Sequence, residues 1–95
     1  MSVAAGASQM GSKVVLFEAG KMGGDCLNYG CVPSKAILAA GKTAHALRHS
    51  ERFGISPIAK PDVTFQNVHD HVHDVIAGIA PHDSVGRFEG LGVQV

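Results

Sequence analysis

The sequence predicts an α/β fold, rich in helix and poor in strand, organised as one small domain over residues 1–95. Three observations carry that prediction. Residues 13–18 (KVVLFE) form a continuous apolar run closed by an acid, the pattern of a buried parallel strand. Two long stretches, 31–48 and 64–79, place apolar residues at helical spacing. A second short apolar run, 91–95, closes the sequence and reads as another strand. A 45% apolar and 17% charged composition suits a folded protein rather than a disordered one.

Taken in order, residues 2–10 are small and helix-tolerant, and Gly11 suits the position just past a helix end. The run 13–18 follows as the first strand. Residues 19–25 hold Gly20, Gly23 and Gly24 and read as a loop. A long helix begins near Cys31, with Pro33 in its first turn, and runs to about Arg48. Gly54, Pro57 and Pro61 mark residues 50–61 as a connection. Thr64 is the N-cap of a further helix with apolar positions Phe65, Val68, Val72, Val75, Ile76 and Ile79. Pro81 interrupts it, and one more short helix fits residues 83–89. With a helix first and few strands to share a sheet, the order suits part of an α/β domain.

Eight basic residues balance eight acidic ones, which argues against a nucleic-acid or anionic-membrane partner. No apolar stretch approaches the roughly 18–20 residues of a membrane span. The first residues lack a basic n-region and an apolar core, so the expectation is a cytoplasmic protein.

Two cysteines, Cys26 and Cys31, stand five positions apart. That is too few for a disulfide-stapled secreted domain and leaves redox chemistry or metal binding. On a straight helix, positions five apart rise about 7.5 Å and diverge, whereas a disulfide needs Cα atoms within about 7 Å. Pairing therefore requires a break between them, for which Asn28 and Gly30 are suited. Cys31 then sits at the start of the following helix, where negative charge is favoured, and Lys35 adds positive potential one turn on. This is an environment for a reactive thiolate.

The alternatives are inert buried thiols and zinc. Cys26 and Cys31, with His45 and His49, approximate a zinc-finger spacing. However, Lys35 and Gly41 stand where that module needs hydrophobic anchors, and the reading assigns no metal ligands. His45 and His49, like His69 and His73, are four apart on expected helices. Interleaved Asp70 and Asp74 favour reading the second pair as a solvated face.

The thirteen residues 23–35, GGDCLNYGCVPSK, resemble the active-site signature of the class I FAD-dependent pyridine nucleotide-disulfide oxidoreductases. That family contains glutathione reductase, dihydrolipoamide dehydrogenase and mercuric reductase. Residues 13–18 resemble the second strand of its FAD domain. The tail, through Pro81, His82 and residues 88–93, resembles the mercuric-reductase-like branch, with dihydrolipoamide dehydrogenase as the alternative.

The resemblance implies a partial Rossmann-like FAD-binding domain. It implies catalytic roles for Cys26 as the interchange thiol and Cys31 as the flavin-side thiol, joined by a reversible disulfide. Glu18 would bind the adenosine ribose, and Gly23, Gly24 and Asp25 would line FAD. Lys35 would stand near the flavin ring. Asp25 replaces the family's usual Thr, and Tyr29 a commoner aliphatic residue. The parent enzyme implied is a homodimer, or another homo-oligomer, that takes electrons from NAD(P)H. The sequence contains no GxGxxG phosphate loop. This chain by itself is therefore expected neither to hold FAD tightly nor to turn over.

Overall fold

Residues 1–95 are all described by a computed structural model. The chain divides into a small α/β body and a helical hairpin that stands away from it. The body opens with helix α1, Ser2–Gln9. Gly11, at φ 88°, ends the helix. The Ser12 amide donates to the Ala7 carbonyl and the Gly11 amide to Ser8, both at 3.0 Å. These two bonds are a Schellman closure, for which a glycine is needed at the left-handed position.

Strand β1 follows at Val14–Val15 and pairs in parallel with β2, Val93–Gln94. The register sets Val14 opposite Val93 and Val15 opposite Gln94, and the Leu16 amide adds a bond of 2.7 Å to the Gln94 carbonyl. The expected strand over 13–18 is thus reduced to two residues. A strand extends only as far as its partner, and β2 offers two residues because Gly92 at φ 87° turns the chain just before it. Parallel pairing requires a long crossover, and everything between the strands supplies it.

Helix α2, Gly24–Asn28, occupies the end of the expected glycine loop, with Gly23 at φ 105° as its N-cap. Helix α3, Cys31–Arg48, and helix α4, Phe65–Ile79, match the two expected long helices and form the hairpin. On α3, Ala40, Thr43, Ala44 and Leu47 line the shared groove at i, i+3, i+4, i+7 spacing, and Thr64, Asn67, Val68 and His71 line it from the side of α4. Between the two helices a 3-10 turn, Ser50–Phe53, ends at Gly54, and the Ile58 amide donates to the Leu47 carbonyl at 2.8 Å. Thr64 caps α4 in position, but its hydroxyl makes no capping bond.

Pro81 lies in a 3-10 turn, Ala80–Asp83, and α5 follows at Val85–Gly90. The Ser84 hydroxyl accepts the Arg87 amide at 3.2 Å. Ser84→Ala is expected to destabilise the body by about 0.5–2 kcal/mol, as loss of an N-cap does, measurable as a lower urea midpoint.

The core of the body is Ala4, Phe88 and Val93, with Met1, Ala5, Val14, Leu16, Met22 and Leu91 packed around them. The Ser8 hydroxyl donates to the Leu91 carbonyl, tying α1 to the segment before β2. Elsewhere one residue each of α2, α3 and α4 is buried: Leu27, Ala36 and Val72. Only 7 of 95 residues are buried. The radius of gyration is 19.1 Å, against about 12 Å for a compact chain of this length. The accessible surface is 6958 Å², against about 5,200 Å² for a folded monomer of this mass. The α/β class holds, with few strands, but most apolar side chains remain on the surface.

Candidate redox site

Cys26 lies within α2 and Cys31 is the first residue of α3. Both are exposed free thiols. The chain breaks between them at Tyr29 and Gly30, as pairing requires. The break depends on Gly30. A Cβ there would stand 2.9 Å from the Asp25 carbonyl oxygen and 3.2 Å from the Cys26 Cα. No side chain fits between the two helix ends, so the glycine lets the start of α3 rest directly on α2.

Asn28 acts differently from the expectation. It stays inside α2, and its side-chain amide donates to the carbonyls of Gly24 at 2.9 Å and Met22 at 3.3 Å. It pins the glycine loop to the helix that carries Cys26. Sequence reasoning assigned it a backbone role and missed this one; a short amide four residues after a helix start was the available signal.

The other expected site residues fall into two groups. Asp25 is in the first turn of α2, and Lys35 is in the first turns of α3, exposed. Gly23 is buried, and a Cβ on it would meet the Leu27 side chain at 2.3 Å. Its lack of a side chain therefore serves internal packing. A Cβ on Gly24, at φ 68°, would meet nothing within 4 Å, while its amide donates to the Lys21 carbonyl at 3.2 Å and its carbonyl accepts from the Asn28 side chain. Glu18 is exposed beyond the end of β1, and its Oε1 accepts the Gly20 amide at 2.9 Å. Glu18 and Gly20 border a cleft of about 310 Å³ with Leu16, Phe17, Met22 and Val85. A carboxylate past a strand end beside an open cleft fits the ribose of a dinucleotide. Tyr29 is exposed beside the cysteines, with the Lys21 ammonium 5.8 Å from its ring centre.

No three His, Cys, Asp or Glu side chains converge on one point. No helix is long and apolar enough to cross a membrane.

No protein-family model matches the chain. Individual proteins do. A dihydrolipoyl dehydrogenase of Staphylococcus aureus is 42% identical over 86 residues, 90% of this chain and 17% of its own length. One from Halobacterium salinarum is 43% identical over 70 residues, 74% of this chain and 14% of its own. One from Thermus scotoductus is 44% identical over 61 residues, 64% of this chain and 13% of its own. The chain thus spans less than a fifth of the length of these relatives. They fit the alternative expectation, dihydrolipoamide dehydrogenase, better than the mercuric-reductase-like reading drawn from the tail. That tail is an architectural element: Pro81 shapes a turn, Ser84 caps α5 and Phe88 fills the core. The chain belongs to the class I FAD-dependent pyridine nucleotide-disulfide oxidoreductase family, of whose members it covers the segment around the two-cysteine motif.

Proposed function

We propose that the chain is the dithiol-disulfide segment of a dihydrolipoyl-dehydrogenase-like flavoenzyme, with Cys26 and Cys31 as its electron-exchanging pair. The observation that carries this reading is the junction at Gly30, which holds two exposed thiols at the abutting ends of α2 and α3. In the oxidising direction, one thiolate of a dihydrolipoyl dithiol attacks Cys26 Sγ. The Cys26–Cys31 bond breaks, a mixed disulfide forms, and Cys31 leaves as a thiolate. The second substrate thiolate then attacks the sulfur bound to Cys26. The lipoyl disulfide closes and Cys26 is released. Two electrons have passed to the pair and two protons to solvent.

Cys31 opens an 18-residue helix, whose N-terminus favours the negative charge of the departing thiolate. Lys35 adds positive charge on the same turns. Glu18, Gly23, Gly24 and Asp25 would hold FAD along one side. Bound flavin supplies the chemistry that takes the two electrons from the dithiol and passes them to a nicotinamide nucleotide. A pair that must cycle between two states suits the cytoplasm, where disulfides are transient and catalytic.

A homo-oligomer is part of the same proposal. Apolar side chains such as Phe17, Phe53, Ile55 and Phe65 are more than half exposed. The surface in excess of a compact monomer is about 1,800 Å² per chain, more than the roughly 800 Å² that each partner gives to a standard interface.

The test is intact mass after alkylation. The oxidised chain is expected to remain unlabelled as a monomer mass, and to take two labels after one equivalent of dihydrolipoamide. In a Cys31→Ser chain, oxidised lipoamide should leave a mixed disulfide on Cys26. If both thiols label freely after mild oxidant, the exchange reading fails.

A further inference from the structure

We propose that His69 and His73 form a two-imidazole chelate for an exchangeable divalent cation of borderline softness, with Zn2+ as the reference ion. The site lies on the exposed side of α4, away from the cysteines and independent of the redox reading. The two residues are one helical turn apart, which sets their side chains over each other. Their Nε2 atoms converge to 3.1 Å, with ring centroids 4.4 Å apart and planes inclined by 53°. For metal–nitrogen bonds of 2.0–2.1 Å, two ligand nitrogens stand about 2.9 Å apart at a right angle and about 3.4 Å apart at the tetrahedral angle. The observed separation lies between these values, so both lone pairs can meet one ion with little side-chain movement.

A second feature supports the site. The Asp70 carboxylate stands 3.9 Å from the His69 Nδ1, and the Gln66 amide donates to the same Asp70 oxygen at 2.8 Å. Metal-bound imidazoles commonly give their other ring N–H to a carboxylate, which fixes the tautomer. A small rotation of Asp70 closes that bond. The Nε2–Nε2 contact has the length of a hydrogen bond whose direction depends on the ring tautomers, and binding one ion through both Nε2 atoms uses the tautomer with the proton on Nδ1 in each ring.

The other histidines contrast with this pair. His45 and His49 have the same spacing, and their rings are tilted by 35° with centroids 4.2 Å apart, but the nitrogen–nitrogen contact forms at His69 and His73 and not at this pair. His71 faces the groove shared with α3. No third side chain converges on His69 and His73, so water fills the remaining positions and the ion exchanges freely.

The test titrates Zn2+ into the full chain by calorimetry, with both cysteines blocked by iodoacetamide. One Zn2+ per chain is expected. His69→Gln and His73→Gln should each weaken binding at least tenfold, and Asp70→Asn about tenfold, the usual effect of losing a carboxylate that orients a ligand. His45→Gln should leave the affinity unchanged. The proposal is overturned if the wild-type chain binds Zn2+ no more tightly than His73→Gln, or if His45→Gln weakens binding as much.

Discussion

Gly30→Ala is expected to lower the equilibrium constant for closing the Cys26–Cys31 disulfide by about five- to a hundredfold, the range that follows from an overpacking cost of about 1–3 kcal/mol. The added methyl would lie 2.9 Å from the Asp25 carbonyl oxygen and 3.2 Å from the Cys26 Cα. Both neighbours are backbone atoms of α2, so neither can swing aside as a flexible side chain would. The start of α3 must move off α2, and Cys31 moves with it. The free dithiol tolerates that displacement, because nothing joins the sulfurs. The disulfide does not, because its Cα separation is confined to a narrow window. The change therefore falls mainly on the oxidised state. Gly41→Ala is the control: Gly41 is inside α3 with nothing within 4 Å. Alanine there should stabilise the helix slightly and leave the redox equilibrium unchanged. Equilibration in glutathione buffers, acid quenching, alkylation and mass measurement reads both constants. Equal constants for Gly30→Ala and wild type would remove Gly30 from its proposed role.

The contrast between these two glycines shows what the sequence made legible. Both are ordinary residues in a string of letters; only the fold puts backbone within 3 Å of one and open space around the other. The long helices were readable because their periodicity extends over many turns, and the observed bounds of α3 and α4 match the expected ones. Gly11 and Pro81 were readable because backbone angle and a missing amide act locally. The strands were less so, since their length is a property of the pair: 13–18 has the composition of a longer strand, but β2 gives it a partner for two residues. Helix α2 was hidden because its N-cap is a left-handed glycine, which reads as loop. In the site, the spacing of Cys26 and Cys31 was legible, and so was the need for a break between them. The amide clasp of Asn28 was not, because it depends on where the Met22 and Gly24 carbonyls point. For the histidines, spacing marked two equivalent pairs, and side-chain rotamers alone separate the pair whose ring nitrogens meet from the pair whose nitrogens do not.

The second large effect concerns how the two parts of the molecule hold together. Phe88→Ala is expected to unfold the α/β body while leaving the α3–α4 hairpin helical. Phe88 is 1% exposed and is the largest fully buried side chain. It joins Ala4 and Val93, so α1, α5 and β2 meet at its ring. Truncating a buried Phe costs about 3–5 kcal/mol, a large share of the 5–15 kcal/mol that stabilises even a complete domain. A two-stranded sheet has little stability of its own, so β1 and β2 should separate once the ring is gone. The Leu16 amide, bonded to the Gln94 carbonyl at 2.7 Å, reports on that pairing. Its hydrogen exchange should accelerate by about 150- to 5,000-fold, the factor that corresponds to the lost free energy. Amides in α3 should change far less, because the residues buried on that side, Leu27, Ala36 and Val72, lie outside the Phe88 cluster. If α3 amides accelerate together with Leu16, the chain is one cooperative unit. If they do not, Glu18 and the cysteines belong to separately stable parts. Only residues 19–30 would then set the distance between the Glu18 carboxylate and the dithiol, with Met22 packed on the body and Leu27 buried in α2 on either side of Gly23 and Gly24. In that case a bound dinucleotide contacting both parts would order the redox site by bridging them, and added FAD should slow exchange at Cys31 and Leu16 together.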